Sequence, residues 1–139
     1  MDLTMLREAA TAVFTGEPVA AAYLFGSRAR GDERPDSDAD VAVLLDGTVP
    51  PHDRLDLSLR LAGALSRAVR LDVSPLVVLD DAPLRLQGRV LRDGVVIFVS
   101  DDDMRVRYET TTRSSAADYE IVAERLDREL LAAHARGDR

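Results

Sequence analysis

Apolar residues at Leu3, Leu6, Ala10, Val13 and Phe14 fall on one stripe at helical spacing, which predicts a first helix over 3–14. Thr15-Gly16-Glu17-Pro18 ends it. Val19 to Phe25 is a continuous apolar run between Pro18 and Gly26, the signature of a buried strand. Gly26 to Ser37 is polar, carries Gly31 and Pro35, and reads as a loop. Asp38 to Leu45 reads as a second strand, with apolar residues on both faces beyond its acidic start.

After a turn over Asp46 to Pro51, two periods compete. Leu55, Leu57, Leu59 and Leu61 alternate as in a strand, but the length of Asp53 to Val69 and the continuation through Ala62, Ala64, Leu65 and Ala68 decide for a helix. Arg70 to Leu79 predicts a third strand, in which Pro75 marks an edge or a bulge. Pro83 opens a short helix to about Arg92, Asp93-Gly94 turns the chain, and Val95 to Val99 is a last strand.

From Asp101 the pattern is helical again. Three aspartates suit the positive end of a helix dipole. Tyr119, Val122, Leu126 and Leu130 form a stripe that fits either a core or a partner surface. Thr110 to Ser115 forms helix weakly, so this region is two helices, or one with a break. Together these elements imply an α+β or compact α/β domain: a small sheet of about four strands with helices packed mainly on one face.

Composition narrows the function classes. At 139 residues the chain is about one domain long. It has no cysteine, which excludes a thiol nucleophile, a cysteine zinc site and a disulfide framework. The absence of a secretory pattern and of any membrane-length apolar run leads to a cytoplasmic expectation, with no membrane partner. All 18 basic residues are arginine against 25 acids, for a net charge of −7. Without lysine there is neither a Walker-type phosphate lysine nor Schiff-base chemistry. The acidic balance and the few aromatic rings disfavour direct binding of duplex or single-stranded nucleic acid. Neither disfavours a metal-assisted enzyme for nucleotides. His52 and His134 lie too far apart to share a ligand spacing and read as surface residues.

The chemistry concentrates between the two apolar strands. Asp38 and Asp40, at i and i+2 of a strand start, present two carboxylates on one face. Such a pair repels unless neutralised, and Mg²⁺ prefers oxygen ligands of this kind. With 18 aspartates, about two or three Asp-x-Asp pairs arise by chance, and three exist, so the pair alone carries no information. Requiring Gly-Ser ten residues upstream, as at Gly26-Ser27, lowers the chance figure to roughly 0.01. Glycine lets a backbone approach a ligand closely, and a serine hydroxyl with adjacent N–H groups can cradle a phosphate. Arg28 and Arg30 can offer forked donors to phosphate oxygens, although they equally fit a solvated loop. Asp36 is an acid that supports the metal-binding pair from behind or, more simply, a turn residue. Asp72, between Leu71 and Val73, is a candidate third acid, the alternative being a strand-edge carboxylate paired with Arg70.

The Gly-Ser-x10-Asp-x-Asp motif of residues 26–40 resembles that of the minimal nucleotidyltransferases of the DNA polymerase β superfamily. The resemblance extends through Leu71-Asp72-Val73, Ala82-Pro83 and Arg89 to Phe98, covers most of residues 4–100, and shows no departure in the core motif. It implies a small mixed sheet, a transferase domain over 1–100 and a C-terminal helical extension over 101–139. It also implies that Ser27 holds the nucleotide's terminal phosphates, beside the nucleotide contacts that residue chemistry assigns to Gly26, Arg28 and Arg30. Asp38, Asp40 and Asp72 would be the catalytic residues and hold Mg²⁺, two ions being expected. Small stand-alone members resemble the antitoxins of HEPN/MNT pairs, which move AMP from ATP onto a tyrosine of a HEPN ribonuclease toxin. A hetero-oligomer with such a toxin, encoded beside it, is the expected assembly. Two rival readings stand beside this one: an antitoxin that silences its partner by stoichiometric binding, and a transferase acting on a small molecule.

Overall fold

The Asp2 carboxylate accepts a hydrogen bond from the Met5 N–H at 2.8 Å and so starts α1 (Leu3–Phe14). The structure, a computed structural model, describes residues 2–31 and 38–135. β1 (Val19–Phe25) and β2 (Asp40–Leu45) follow, separated by a four-residue helix, α2 (Ser27–Arg30). Then come α3 (Arg54–Val69), β3 (Val77–Val78), α4 (Leu84–Asp93), β4 (Val95–Val99) and α5 (Asp102–Ala135). The expected loop after Phe25 therefore opens with a turn of helix. Asp36 lies outside the described residues.

The strands form one mixed sheet in the order β3-β2-β1-β4. β1 runs antiparallel to β2 and β4, and β2 runs parallel to β3. The pleat sends Ala22, Leu24, Val41, Val43 and Leu45 into a core with Leu6, Phe14, Leu61 and Leu65 of α1 and α3. There the Phe14 and Phe98 rings meet at 5.5 Å, tilted by 59°. The opposite pleat sends Ala21, Tyr23, Ala42 and Leu44 against Val90 and Leu91 of α4 and Met104 and Tyr108 of α5.

Helices thus cover both faces, α1 and α3 on one and α4 and α5 on the other, rather than mainly one. The reason lies in β1 and β2, whose apolar residues point both ways and need cover on both sides. The third strand is also shorter than the Arg70–Leu79 expected. Only Val77–Val78 pairs regularly, after one isolated bridge between Ala39 and Val73. Pro75 lies between them and has no N–H to give the ladder.

α5 is one unbroken helix of 34 residues, about 50 Å long at the usual rise. Its weak stretch is held by one hydrogen bond to the sheet and by ion pairs within the helix. Glu109, buried, accepts from Tyr23 Oη at 2.9 Å and Arg105 Nη1 at 2.6 Å, and pairs with Arg113 at 3.2 Å. Thr112 is buried beside it. Asp101 caps the helix by accepting from the Met104 N–H at 3.0 Å. Beyond Glu120 the helix buries nothing, and the stripe from Tyr119 to Leu130 is not core. No helix among the described residues is long and apolar enough to cross a membrane.

Candidate active site

β1 ends where β2 begins. Phe25 pairs with Asp40 across the antiparallel ladder, so Gly26 emerges beside the acidic start of β2. Gly26 takes φ 75° and ψ −155°, a region open essentially to glycine alone. A Cβ built there would collide with Asp40 Oδ2. Ser27 follows as the first residue of α2, whose last turn closes on Gly31 in the left-handed conformation.

Asp40 is half-buried and Asp38 exposed. Burial, and then the charge of Asp38, push the Asp40 carboxyl above its usual range. The Ser74 hydroxyl stands between the two acids. It donates to Asp38 Oδ2 at 3.5 Å, and its hydrogen bonding partly offsets the rise at Asp40. Ser74 was given no role by the sequence. The available signal was its i+2 spacing from Asp72.

Asp72 reaches this neighbourhood through its backbone. The Ala39 N–H donates to the Asp72 carbonyl at 2.9 Å, and the Ser74 N–H donates to the Ala39 carbonyl at 3.1 Å. Ala39 and Val73 both pack into the α1–α3 core, so alternation sets Asp72 and Ser74 on the same side as Asp38 and Asp40. Among the described residues, however, no three acid or imidazole side chains come close enough together to hold a metal ion. The structure therefore brings together Gly26, Asp38, Asp40 and Ser74. It leaves the exposed Asp72 side chain on the same face without closing a three-acid group.

The two arginines diverge. Arg28 lines a small cavity with Asp2, Leu3 and Leu6 of the α1 end. Arg30 lies within electrostatic reach of Asp93, at the end of α4. His52 is exposed beside Asp53, and His134 is exposed on distal α5.

The donor set fits Mg²⁺. Two carboxylates on one face that repel each other, with a hydroxyl beside them, supply hard oxygen ligands and negative charge. The glycine beside them leaves room for a backbone to approach a ligand closely.

Residues 8–103 match the family described as Polymerase beta, Nucleotidyltransferase. No curated protein matches the sequence. Among solved structures, a toxin–antitoxin complex with AMP-PNP contains a chain 24% identical, at a TM-score of 0.69, covering 90% of this chain and 98% of that one. A tri-AMPylated HEPN toxin in complex with an MNT antitoxin, from Shewanella oneidensis, matches at 21% identity and a TM-score of 0.65, covering 94% and 99%. A structure described as a minimal nucleotidyltransferase matches at 32% identity and a TM-score of 0.55, covering 68% and 95%.

Proposed function

The chain belongs to the polymerase beta nucleotidyltransferase family, and from that premise we propose that it moves AMP from ATP to a hydroxyl of a partner protein. The partner in this reading is a HEPN ribonuclease toxin, the acceptor hydroxyl is a tyrosine's, and the transfer makes this chain an antitoxin of the cytoplasm. Residues 1–100 form the transferase domain and 101–139 an extension of it. The observation that carries the proposal is the packing of Gly26 against Asp40, with Asp38 and Ser74 alongside. That packing supports a reading in which a nucleotide-binding loop lies against a metal-binding acid pair. Resemblance to chains from complexes with AMP-PNP and with an AMPylated toxin supports the choice of nucleotide and acceptor.

In this mechanism the triphosphate lies against the Gly26 backbone, with the Ser27 hydroxyl donating to its oxygens. Asp38 and Asp40 would hold Mg²⁺, and Ser74 orients Asp38. When bound, the metal supplies charge neutralisation for the triphosphate and the departing pyrophosphate. The acceptor oxygen attacks the α-phosphorus in line, the bond to the bridging oxygen breaks, and pyrophosphate leaves. Asp72 takes the hydroxyl proton at its carboxylate. Most of the rate comes from positioning and charge neutralisation.

The test combines the purified protein, Mg²⁺ and α-labelled ATP with the HEPN protein encoded beside it, followed by intact mass. A stable gain of one or more AMP units on the partner is expected, and its absence with Asp38→Asn/Asp40→Asn. Transfer retained in that double variant overturns the site.

A second reading is favoured by distal α5, where Tyr119, Val122, Leu126 and Leu130 stand 47–69% exposed. In it the protein silences its partner by stoichiometric binding. A tight complex with no mass gain is the outcome that selects it.

A further inference from the structure

A groove of about 430 Å³ lies between α4 and α5, away from the acid pair. Its apolar lining is Leu91, Ala116 and Ala117. Gly88 makes it possible, since a Cβ there would come within 2.7 Å of the Ala116 methyl and drive the helices apart. Four arginines, Arg85, Arg89, Arg92 and Arg113, line it as well, with a single acid, Glu120. In a chain of net charge −7 the lining is net positive, a charge that Glu120, Asp93 and Glu109 offset in part through their pairs with Arg85, Arg92 and Arg113.

Three of these guanidiniums are held in place. Arg85 pairs with Glu120 at 3.1 Å and Arg92 with Asp93 at 3.1 Å, and Arg113 donates to the Leu91 carbonyl at 3.3 Å. Each arginine has five N–H donors, so these contacts leave donors to spare. Arg89 makes no hydrogen bond or ion pair among the described residues. Asp93, which its neighbour Arg92 engages directly, feels both Arg89 of the groove and Arg30 of α2.

We propose that this groove docks an acidic segment, bearing at least one apolar side chain, of the protein that carries the acceptor hydroxyl. The inference rests on the nucleotidyl-transfer reading and gives that site its acceptor specificity. Charge complementarity selects an anionic occupant. The apolar lining takes a leucine-sized side chain, whereas no aromatic ring lines the groove to stack a base. A peptide therefore fits better than a nucleic acid.

The test uses two variants outside the acid site, Arg85→Ala/Arg89→Ala and Ala117→Trp. The first removes exposed charge and the second fills the groove from an exposed helix position. The probes are a fluorescein-labelled peptide of Glu-Glu-Leu repeats and a labelled oligouridylate. The wild type should bind the peptide, and each variant should weaken it by about tenfold or more. With the HEPN protein as acceptor, the same variants should raise KM by a similar factor, with kcat and ATP-analogue binding retained. No peptide binding by the wild type, or binding indifferent to both variants, overturns the proposal. Tighter binding of the oligouridylate that is lost in the variants overturns it too, by assigning the groove to nucleic acid. Transfer in the wild type with KM unmoved in the variants removes the groove and keeps the reaction. Partner binding that the variants weaken, with no transfer by the wild type, does the reverse.

Discussion

The Asp40 carboxylate occupies the space that a side chain at position 26 would need. Gly26 and Asp40 are thus one feature contributed by two strands, joined by the pairing of Phe25 with Asp40. Gly26→Ala must both strain a φ of 75° and displace Asp40. The expected cost is about 1–3 kcal/mol of stability, with a loss of transfer larger than that destabilisation alone would give. Thermal unfolding and single-turnover labelling on the same preparation check both.

The repulsion between Asp38 and Asp40 leads to a separate expectation that needs no acceptor. Mg²⁺ that binds the folded acid pair and not the unfolded chain raises Tm by mass action. The shift should grow with metal concentration in the wild type and vanish in Asp38→Asn/Asp40→Asn. In metal-free buffer that double variant should be at least as stable as the wild type, because it loses a like-charge pair. Differential scanning fluorimetry across a magnesium series reads all of this, and an equal shift in both proteins would remove the metal from this site.

The motif and its two flanking strands were legible because each is local. The apolar run of Val19–Phe25 fixes β1 by length, and the i, i+2 spacing of Asp38 and Asp40 fixes their shared face. What escaped was set by tertiary contact. The weak helix formers Thr110–Ser115 stay helical because buried Glu109 ties α5 to Tyr23 across the sheet. Pro75 was legible as a disturbance, but how far it shortened β3 depended on which residues of β2 remained to pair. Ser74 and the arginine groove depend on side chains brought together from separate segments, which no spacing in the chain displays.

The Glu109 anchor is itself testable. Its carboxylate satisfies Tyr23 and Arg105 where both helix and sheet are buried. Tyr23→Phe removes one hydrogen bond to a charged group and should cost about 1.5–3 kcal/mol. Glu109→Ala leaves the buried tyrosine hydroxyl without its acceptor and removes the contacts to Arg105 and Arg113, although Arg105 keeps Asp102, and should cost more than Tyr23→Phe. Urea unfolding should show a lower midpoint in that order, with the slope unchanged.

Glu17 and Arg60 make a two-pronged pair, at 2.8 and 2.9 Å, that ties the turn before β1 to α3. The hydrogen bond from Arg60 holds the Glu17 carboxyl below its usual range, against the opposing effect of burial. A depressed folded pKa means stability that is present above the ordinary carboxylate range and lost as pH falls through the folded value. Arg60 is largely exposed, so solvent screens the pair, and Arg60→Ala should cost only about 0.2–1 kcal/mol at pH 7. The gap between variant and wild type should narrow below about pH 4.5 and close once Glu17 is protonated. A gap that persists at low pH would mean that Arg60 acts through packing.

The distal half of α5 separates folding from partner recognition. Past Glu120 none of the described residues is buried, and Ile121, Val122, Leu126, Leu130 and Leu131 are 53–70% exposed. A helix segment of this length is marginal in water by itself, and it adds no core to the rest. Truncation after Glu120 should therefore leave Tm within a few degrees of the full chain, and it retains the acid pair, the Glu109 anchor and the α4–α5 groove. If neutralisation of the partner is catalytic, the truncated protein still labels it at saturating concentration. If neutralisation works by occupancy, the truncated protein loses the complex and fails to protect cells, although its fold is intact. Labelling and complex formation, measured side by side on the one variant, decide between the two readings.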